Sequence, residues 1–108
     1  MGWTGVDLDG TLAHYQGWKG PEHIGDPIDA MVLKVKRQLS AGKEVRIFTA
    51  RADDERSVRA IKMWLKVRAA LPSSLKITNK KDFECEEIWD DRARQVIRNK
   101  GEFVGQQD

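Results

Sequence analysis

The stretch Val6-Asp7-Leu8-Asp9-Gly10-Thr11-Leu12 decides how the rest of the chain is read. It closes a short apolar run, Trp3 to Leu8, with two acids one residue apart, then a glycine and a threonine. An unpaired carboxylate is costly to desolvate, so buried strands rarely carry acids. At the carboxyl end of a strand in an open α/β sheet, an acid faces the crevice where ligands bind. Residues two apart in an extended chain point the same way, so Asp7 and Asp9 share one site where the chain stays extended past Asp7. Gly10 permits a sharp turn and a close backbone approach. A lone Asp-x-Asp is also what a polar strand end running into a solvated turn looks like, and the remaining sequence has to separate the two.

The bulk properties bound the answer. A chain of 108 residues, 40% hydrophobic and 33% charged, suits one soluble globular domain spanning 1–108. A net charge of +2 does not by itself call for a nucleic acid or an anionic membrane. The single cysteine, Cys85, cannot form an internal disulfide, which agrees with a reducing compartment. Met1-Gly2-Trp3-Thr4 lacks the basic and apolar regions of a signal peptide, and no apolar run is long enough for a bilayer. A cytoplasmic protein without membrane contact is expected.

Outward from the first strand, Ala13 to Gly25 holds Gly17, Gly20 and Gly25, Pro21, and the rings of His14, Tyr15, Trp18 and His23. This is turn chemistry, read either as a connecting loop or as a flap over the strand end. Asp26-Pro27 reads as a helix start, with aspartate capping and proline at the first position. Ile28, Met31, Val32, Val35 and Leu39 then recur at helical spacing up to Ala41-Gly42, where glycine suits a left-handed cap. Glu44 to Thr49 reads as a second strand, ending in Thr49-Ala50-Arg51. Strand, helix, strand makes a right-handed parallel crossover, which puts both polar strand ends on one edge.

Asp53, Asp54 and Glu55 suit the positive end of a second helix, whose apolar face is Val58, Ile61, Trp64 and Leu65 and which runs to about Leu71. Leu75–Thr78 and Cys85–Trp89 read as the third and fourth strands, the latter ending in Asp90-Asp91. Ala93–Arg98 is expected as a short helix, Phe103-Val104 as a last short strand, and Gln106–Asp108 as a frayed end.

Three strands thus end in Asp7 and Asp9, in Thr49, and in Asp90 with Asp91, with Lys80-Lys81 shortly before the last pair. Carboxylates without a histidine or thiolate cluster suit a hard cation with oxygen ligands, for which Mg2+ is the usual choice. Acids so close would repel each other without one. A hydroxyl and an ammonium suit phosphate oxygens.

At this point the chain resembles the haloacid-dehalogenase-like (HAD) phosphohydrolases, which form an aspartyl-phosphate. Their Asp-x-Asp-x-Thr motif is matched by Asp7-Leu8-Asp9-Gly10-Thr11, and their strand-ending Thr or Ser by Thr49. Their lysine is matched by Lys81 or Lys80, and their acidic pair by Asp90-Asp91. Thr78-Asn79-Lys80-Lys81-Asp82 and Trp89-Asp90-Asp91-Arg92-Ala93 look like small phage and bacterial members, a likeness that favours Lys81; spacing alone does not choose.

The resemblance implies a three-layer Rossmann-like parallel sheet with helices on both faces. It implies Asp7 as nucleophile and metal ligand, and Asp9 as general acid and base with its carbonyl on the metal. Phosphate would be held by Thr49, by backbone near Gly10 and Ala50, and by Lys81. Asp90 would be the third metal ligand, and Asp91 would place metal-bound water. Neither interval between motifs leaves room for a cap domain, and an open site suits a large phosphorylated substrate.

Arg51 reads either as a substrate contact or as a surface partner of Asp53 or Asp54. Trp18 is the flap residue best suited to stack on a ring. The expected activity is a magnesium-dependent phosphatase acting on a small phosphorylated molecule or on a macromolecular end, with a lean toward nucleotides and nucleic-acid ends. Two other readings stay open: a non-catalytic phosphate- or nucleic-acid-binding module of the same fold, and a phosphotransferase. Nucleic acid and a second copy of the chain both stay open as partners.

Overall fold

The computed structural model describes residues 2–105. Met1 and the expected frayed end, Gln106–Asp108, lie outside the described residues. The first strand, β1 (Trp3–Val6), is buried along its whole length. It is followed by α1 (Asp29–Ser40), β2 (Glu44–Phe48), a 3-10 turn (Ala50–Asp53), α2 (Glu55–Val67), β3 (Ile77–Thr78) and β4 (Cys85–Trp89). The sheet order is β3-β2-β1-β4 and every pairing is parallel. The order runs outward from β1 through β2 to β3 and then jumps to the other side of β1. That reversal lies between β1 and β4, and it opens the crevice that ligands use in such sheets.

Strand alternation sorts the residues. Val6, Val45 and Ile47 pack into one core with Val32 and Val35 of α1 and with Ile61, Trp64 and Leu65 of α2. Both helices therefore cover the same face, as two right-handed crossovers in one direction require. The other face carries Gly5, Trp3, Arg46, Phe48 and Ile88. The Trp3 and Phe48 rings lie 6.4 Å apart, and the Arg46 guanidinium sits 4.4 Å from the Trp3 ring centre. A Cβ on Gly5 would stand 2.9 Å from Ile88 Cδ1 and 3.1 Å from Phe48 Cβ, so glycine gives the side chains on this face room to close over the strand.

The connection 79–84 ties down the second face. Asp82 accepts from Trp3 Nε1 at 2.8 Å and pairs with Arg46, and the Trp3 amide donates to the Glu84 carbonyl. The three-layer expectation is corrected accordingly. Among the described residues there are two α-helices, both in the core on one face of the parallel sheet. The chain returning from β3 to β4 is too short to hold the helix a third layer needs.

Other boundaries differ for local reasons. α1 begins at Asp29, not Asp26-Pro27. Pro27 is held by a bridge to Ala13, and the Asp26 carboxylate binds Arg68. Gly42 has φ +78° and closes α1 as expected. Asp54 caps α2 by accepting from the Arg56 amide, and α2 ends at Val67 rather than near Leu71. Ala93–Arg98 is not a helix. Val96 bridges Phe103 antiparallel, and Asn99 and Gly101 take φ +64° and +68°, so 95–104 forms a small hairpin.

The loop 14–25 is pinned at its ends. His14 N–H donates to the Asp26 carbonyl at 2.9 Å, Ile28 N–H to the Leu12 carbonyl at 2.8 Å, and Trp64 Nε1 to the Gly25 carbonyl at 2.8 Å. It is thus a compact loop with joined ends. A Cβ on Gly25 would fall 2.1 Å from the His14 carbonyl oxygen, a backbone atom that cannot step aside. Gly25→Ala is expected to destabilise by about 2 kcal/mol, lowering the thermal midpoint by roughly 10 °C. A melting curve unchanged from wild type would show that the loop is not anchored there.

Candidate functional site

The chain leaves β1 at Val6 and turns at once. The Leu8 carbonyl accepts from the amides of Thr11, Leu12 and Ala13, and the Gly10 amide donates to the Ala13 carbonyl at 2.8 Å. Gly10 takes φ +92°, and a Cβ there would stand 2.5 Å from an Asp91 carboxylate oxygen. The turn after β1 therefore presses its backbone against the acidic pair after β4, and glycine is the residue that allows it.

Thr11 joins the two strand ends. Its buried hydroxyl accepts from the Asp91 amide at 3.0 Å and lies 3.1 Å from Asp91 Oδ1 and 3.4 Å from Asp7 Oδ2. One oxygen from each of Asp7, Asp90 and Asp91 lies within 4.8 Å of the others. Burial, first, and then the charge of Asp90 and the hydrogen bond and charge of Asp91 raise the Asp7 carboxyl from 3.8 to about 7, against a smaller lowering by the Leu8 amide. Three oxygen donors on carboxylates that repel one another are the donor set of a hard divalent cation.

Thr49, at the end of β2, is buried. Its amide donates to the Thr78 carbonyl at 2.9 Å, and its hydroxyl accepts from the Arg51 amide at 3.2 Å, turning the chain into the 3-10 segment. Thr49, Ala50, Asp7, Asp9, Asp90 and Asp91 line one cleft of about 710 Å³. Gly10 borders it through Asp91.

Asp9 does not turn its carboxylate toward the cluster. Both of its oxygens take hydrogen bonds from Arg51, Nε and Nη2 at 2.9 Å each, and the Arg51 side chain is only 6% exposed. Arg51 Nη1 also donates to the Pro21 carbonyl at 3.2 Å, and the Trp18 ring lies 4.8 Å from its guanidinium carbon. The partner of Arg51 is therefore Asp9, not Asp53 or Asp54. Those two acids serve Asn79 and the α2 cap instead. Arg51 also holds the loop 14–25 down, and that loop and the Asp9–Arg51 pair wall a second cavity of about 530 Å³ beside the cleft. The sequence alone gave no signal for this clamp, because a guanidinium reaching across two loops leaves no spacing pattern.

Lys81 is exposed, neither Lys80 nor Lys81 is among the residues lining the cleft, and Lys81 acts on Cys85 at the start of β4. The cations that do line the cleft are Arg51 and Arg92.

Comparison of the chain with protein-family models, curated proteins and solved structures finds no match. No helix among the described residues is long and apolar enough to cross a membrane. What stands is an α/β domain with a parallel sheet and a partly buried aspartate cluster at the carboxyl edge of β1 and β4, fit to hold a metal ion or to do acid chemistry.

Proposed function

We propose that the protein is a magnesium-dependent phosphohydrolase of the haloacid-dehalogenase-like type, acting in the cytoplasm on phosphate monoesters through Asp7. One observation carries the reading: Asp7, Asp90 and Asp91 converge at the switch point of a parallel sheet, with Asp7 raised to about 7 by its burial and its neighbours. Acids whose ionisation is shifted by burial and by specific charged neighbours, and which face a cleft, are a feature of functional sites.

Asp7, Asp90 and Asp91 would hold Mg2+, which when bound neutralises charge on the phosphoryl oxygens. An Asp7 oxygen attacks phosphorus and the bond to the leaving oxygen breaks, as Asp9 supplies the proton that oxygen needs. Water then attacks the aspartyl-phosphate, Asp9 takes its proton, and the bond to Asp7 breaks, releasing phosphate. Thr49 and the backbone of Gly10 and Ala50 orient the phosphoryl group.

Asp9 has both oxygens on Arg51 in this structure, so it must let go of Arg51 to reach a leaving group. A substrate phosphate is the natural competitor for that guanidinium. Tyr15 and Trp18, half-exposed at the cleft wall, suit a ring on the substrate, which supports nucleotides or phosphorylated nucleic-acid ends as the class.

The expected result is phosphate release from an aryl phosphate that needs added Mg2+ and stops on chelation. Mg2+ at a hundred times its dissociation constant is expected to stabilise the fold by about 2.7 kcal/mol. Lys81 lying outside the cleft favours a second reading, a cation- and phosphate-binding module without turnover. Mg2+-dependent stabilisation with no phosphate released from any ester would establish that reading instead. Phosphate delivered to added alcohols rather than to water would mark a transferase.

A further inference from the structure

The strand β4 is the outer strand of the sheet, and among the described residues nothing pairs with its free side. Its approach and first residues, Phe83-Glu84-Cys85-Glu86-Glu87, hold three acids and no base, while Asp82 just before them is taken up by Trp3 and Arg46. Phe83 is fully exposed, and Glu84, Glu86 and Glu87 are exposed around it. An open strand edge with an uncovered ring is a site that takes another strand.

The segment that follows has the opposite character. Arg92, Arg94, Arg98 and Lys100 alternate with Val96, Ile97, Phe103 and Val104, and all of them are exposed. Ile97 N–H donates to the Glu102 carbonyl at 2.8 Å and Val104 N–H to the Gln95 carbonyl at 2.9 Å, while Arg94 stacks on Phe103 at 3.6 Å. Among the described residues, these contacts join hairpin residues to one another. A two-stranded hairpin is marginal in water unless a further surface covers its apolar side.

We propose that two copies of this chain associate by exchange, each laying its basic hairpin 92–105 along the acidic free edge of the other's β4. The charges are opposite in sign, the apolar residues of the hairpin meet Phe83, and the hairpin backbone extends the sheet. Within one copy the same contact is not made among the described residues: no bridge joins the hairpin to β4, and Thr11 ties Asp91, where the hairpin leaves β4, to the turn after β1. A nucleic acid fits less well, since phosphates would pair with the arginines and leave four apolar side chains bare, and the net charge is only +2. Reciprocal exchange closes on a two-fold axis and stops at the dimer.

Sedimentation equilibrium on the full chain tests this. The wild-type chain is expected to be dimeric at low salt and to dissociate toward 1 M salt, where the screening length is about 3 Å. Arg94→Glu with Arg98→Glu, and separately Glu86→Lys with Glu87→Lys, are each expected to weaken self-association at least tenfold. Mixing the two variants restores both contacts, because each hairpin then meets an edge of opposite charge, so the mixture is expected to dimerise. All four positions are exposed, and circular dichroism of each variant checks the fold. A wild-type monomer at every salt overturns the proposal. So does a dimer indifferent to charge reversal, or a pair of folded variants that fail to associate. Oligonucleotide binding by a monomer that Arg94→Glu with Arg98→Glu abolishes overturns it in favour of a nucleic-acid surface.

Discussion

Asp7→Asn is expected to cost more than about a thousandfold in phosphate-ester turnover, as loss of a nucleophile that acts as a unit with its neighbours does, and at the same time to make the metal-free protein more stable at neutral pH. The two effects share a cause. The Asp7 carboxyl titrates at about 7 in the fold and near 3.8 as a free side chain. Between those values the folded state binds more protons than the unfolded state, so stability falls as pH rises. The sign is opposite to that of a salt-bridged aspartate. The cost is absent below about pH 4, grows to about pH 7 and is constant above. An amide of the same shape removes it, and the thermal midpoint of Asp7→Asn at pH 8 without metal is expected to rise by at least about 4 °C, with no gain near pH 4. Added Mg2+ should raise the midpoint of the wild type far more than that of the variant. Turnover undiminished in Asp7→Asn would end the aspartyl-phosphate reading. A midpoint that falls at pH 8 would mean that the cluster is not under repulsion.

Arg51→Ala is expected to be the most destabilising single change near the site. It removes the partner of both Asp9 oxygens, the donor to the Pro21 carbonyl and the cation under Trp18. Breaking a buried pair from one side costs about 3–5 kcal/mol, and because the Asp9 side chain keeps 22% of its exposure the loss here is set lower, at about 2–3 kcal/mol. Arg51→Lys should recover little, since an ammonium cannot grip both oxygens. Asp9→Asn combined with Arg51→Ala should be less destabilised than Arg51→Ala alone, because no orphaned charge remains. Denaturant melts of the wild type, Asp9→Asn, Arg51→Ala and the double variant give the coupling directly. Simple additivity would mean that the pair contributes nothing beyond its separate parts.

The sheet and its helices were legible because their signals are local. The apolar run of β1, the alternation of Val45 and Ile47 in β2 and the helical spacing of Val32, Val35, Ile61, Trp64 and Leu65 repeat over several residues and survive in the fold. Acids at strand ends are costly anywhere else, so Asp7, Asp90 and Asp91 announced their edge. What failed was decided at a distance or over too few residues. Ala93–Arg98 is made of good helix formers, but so short a segment does not meet the cost of nucleation, and Asn99 and Gly101 turn it into a hairpin. The grip of Arg51 on Asp9 joins residues that no periodicity connects.

The position of β1 governs the order in which the molecule can be assembled. It starts at residue 3, yet it is hydrogen-bonded on one side to β4, whose last residue is Trp89. A ribosome delivering the chain from its amino end has made β1, α1 and β2 long before the strand that shields the other flank of β1 emerges. Until then Asp7 has neither Asp90 nor Asp91 beside it, and the part of its raised pKa that those two acids cause is absent. The repulsion within the cluster therefore arises only when β4 pairs with β1, once the residues up to Asp91 have been made.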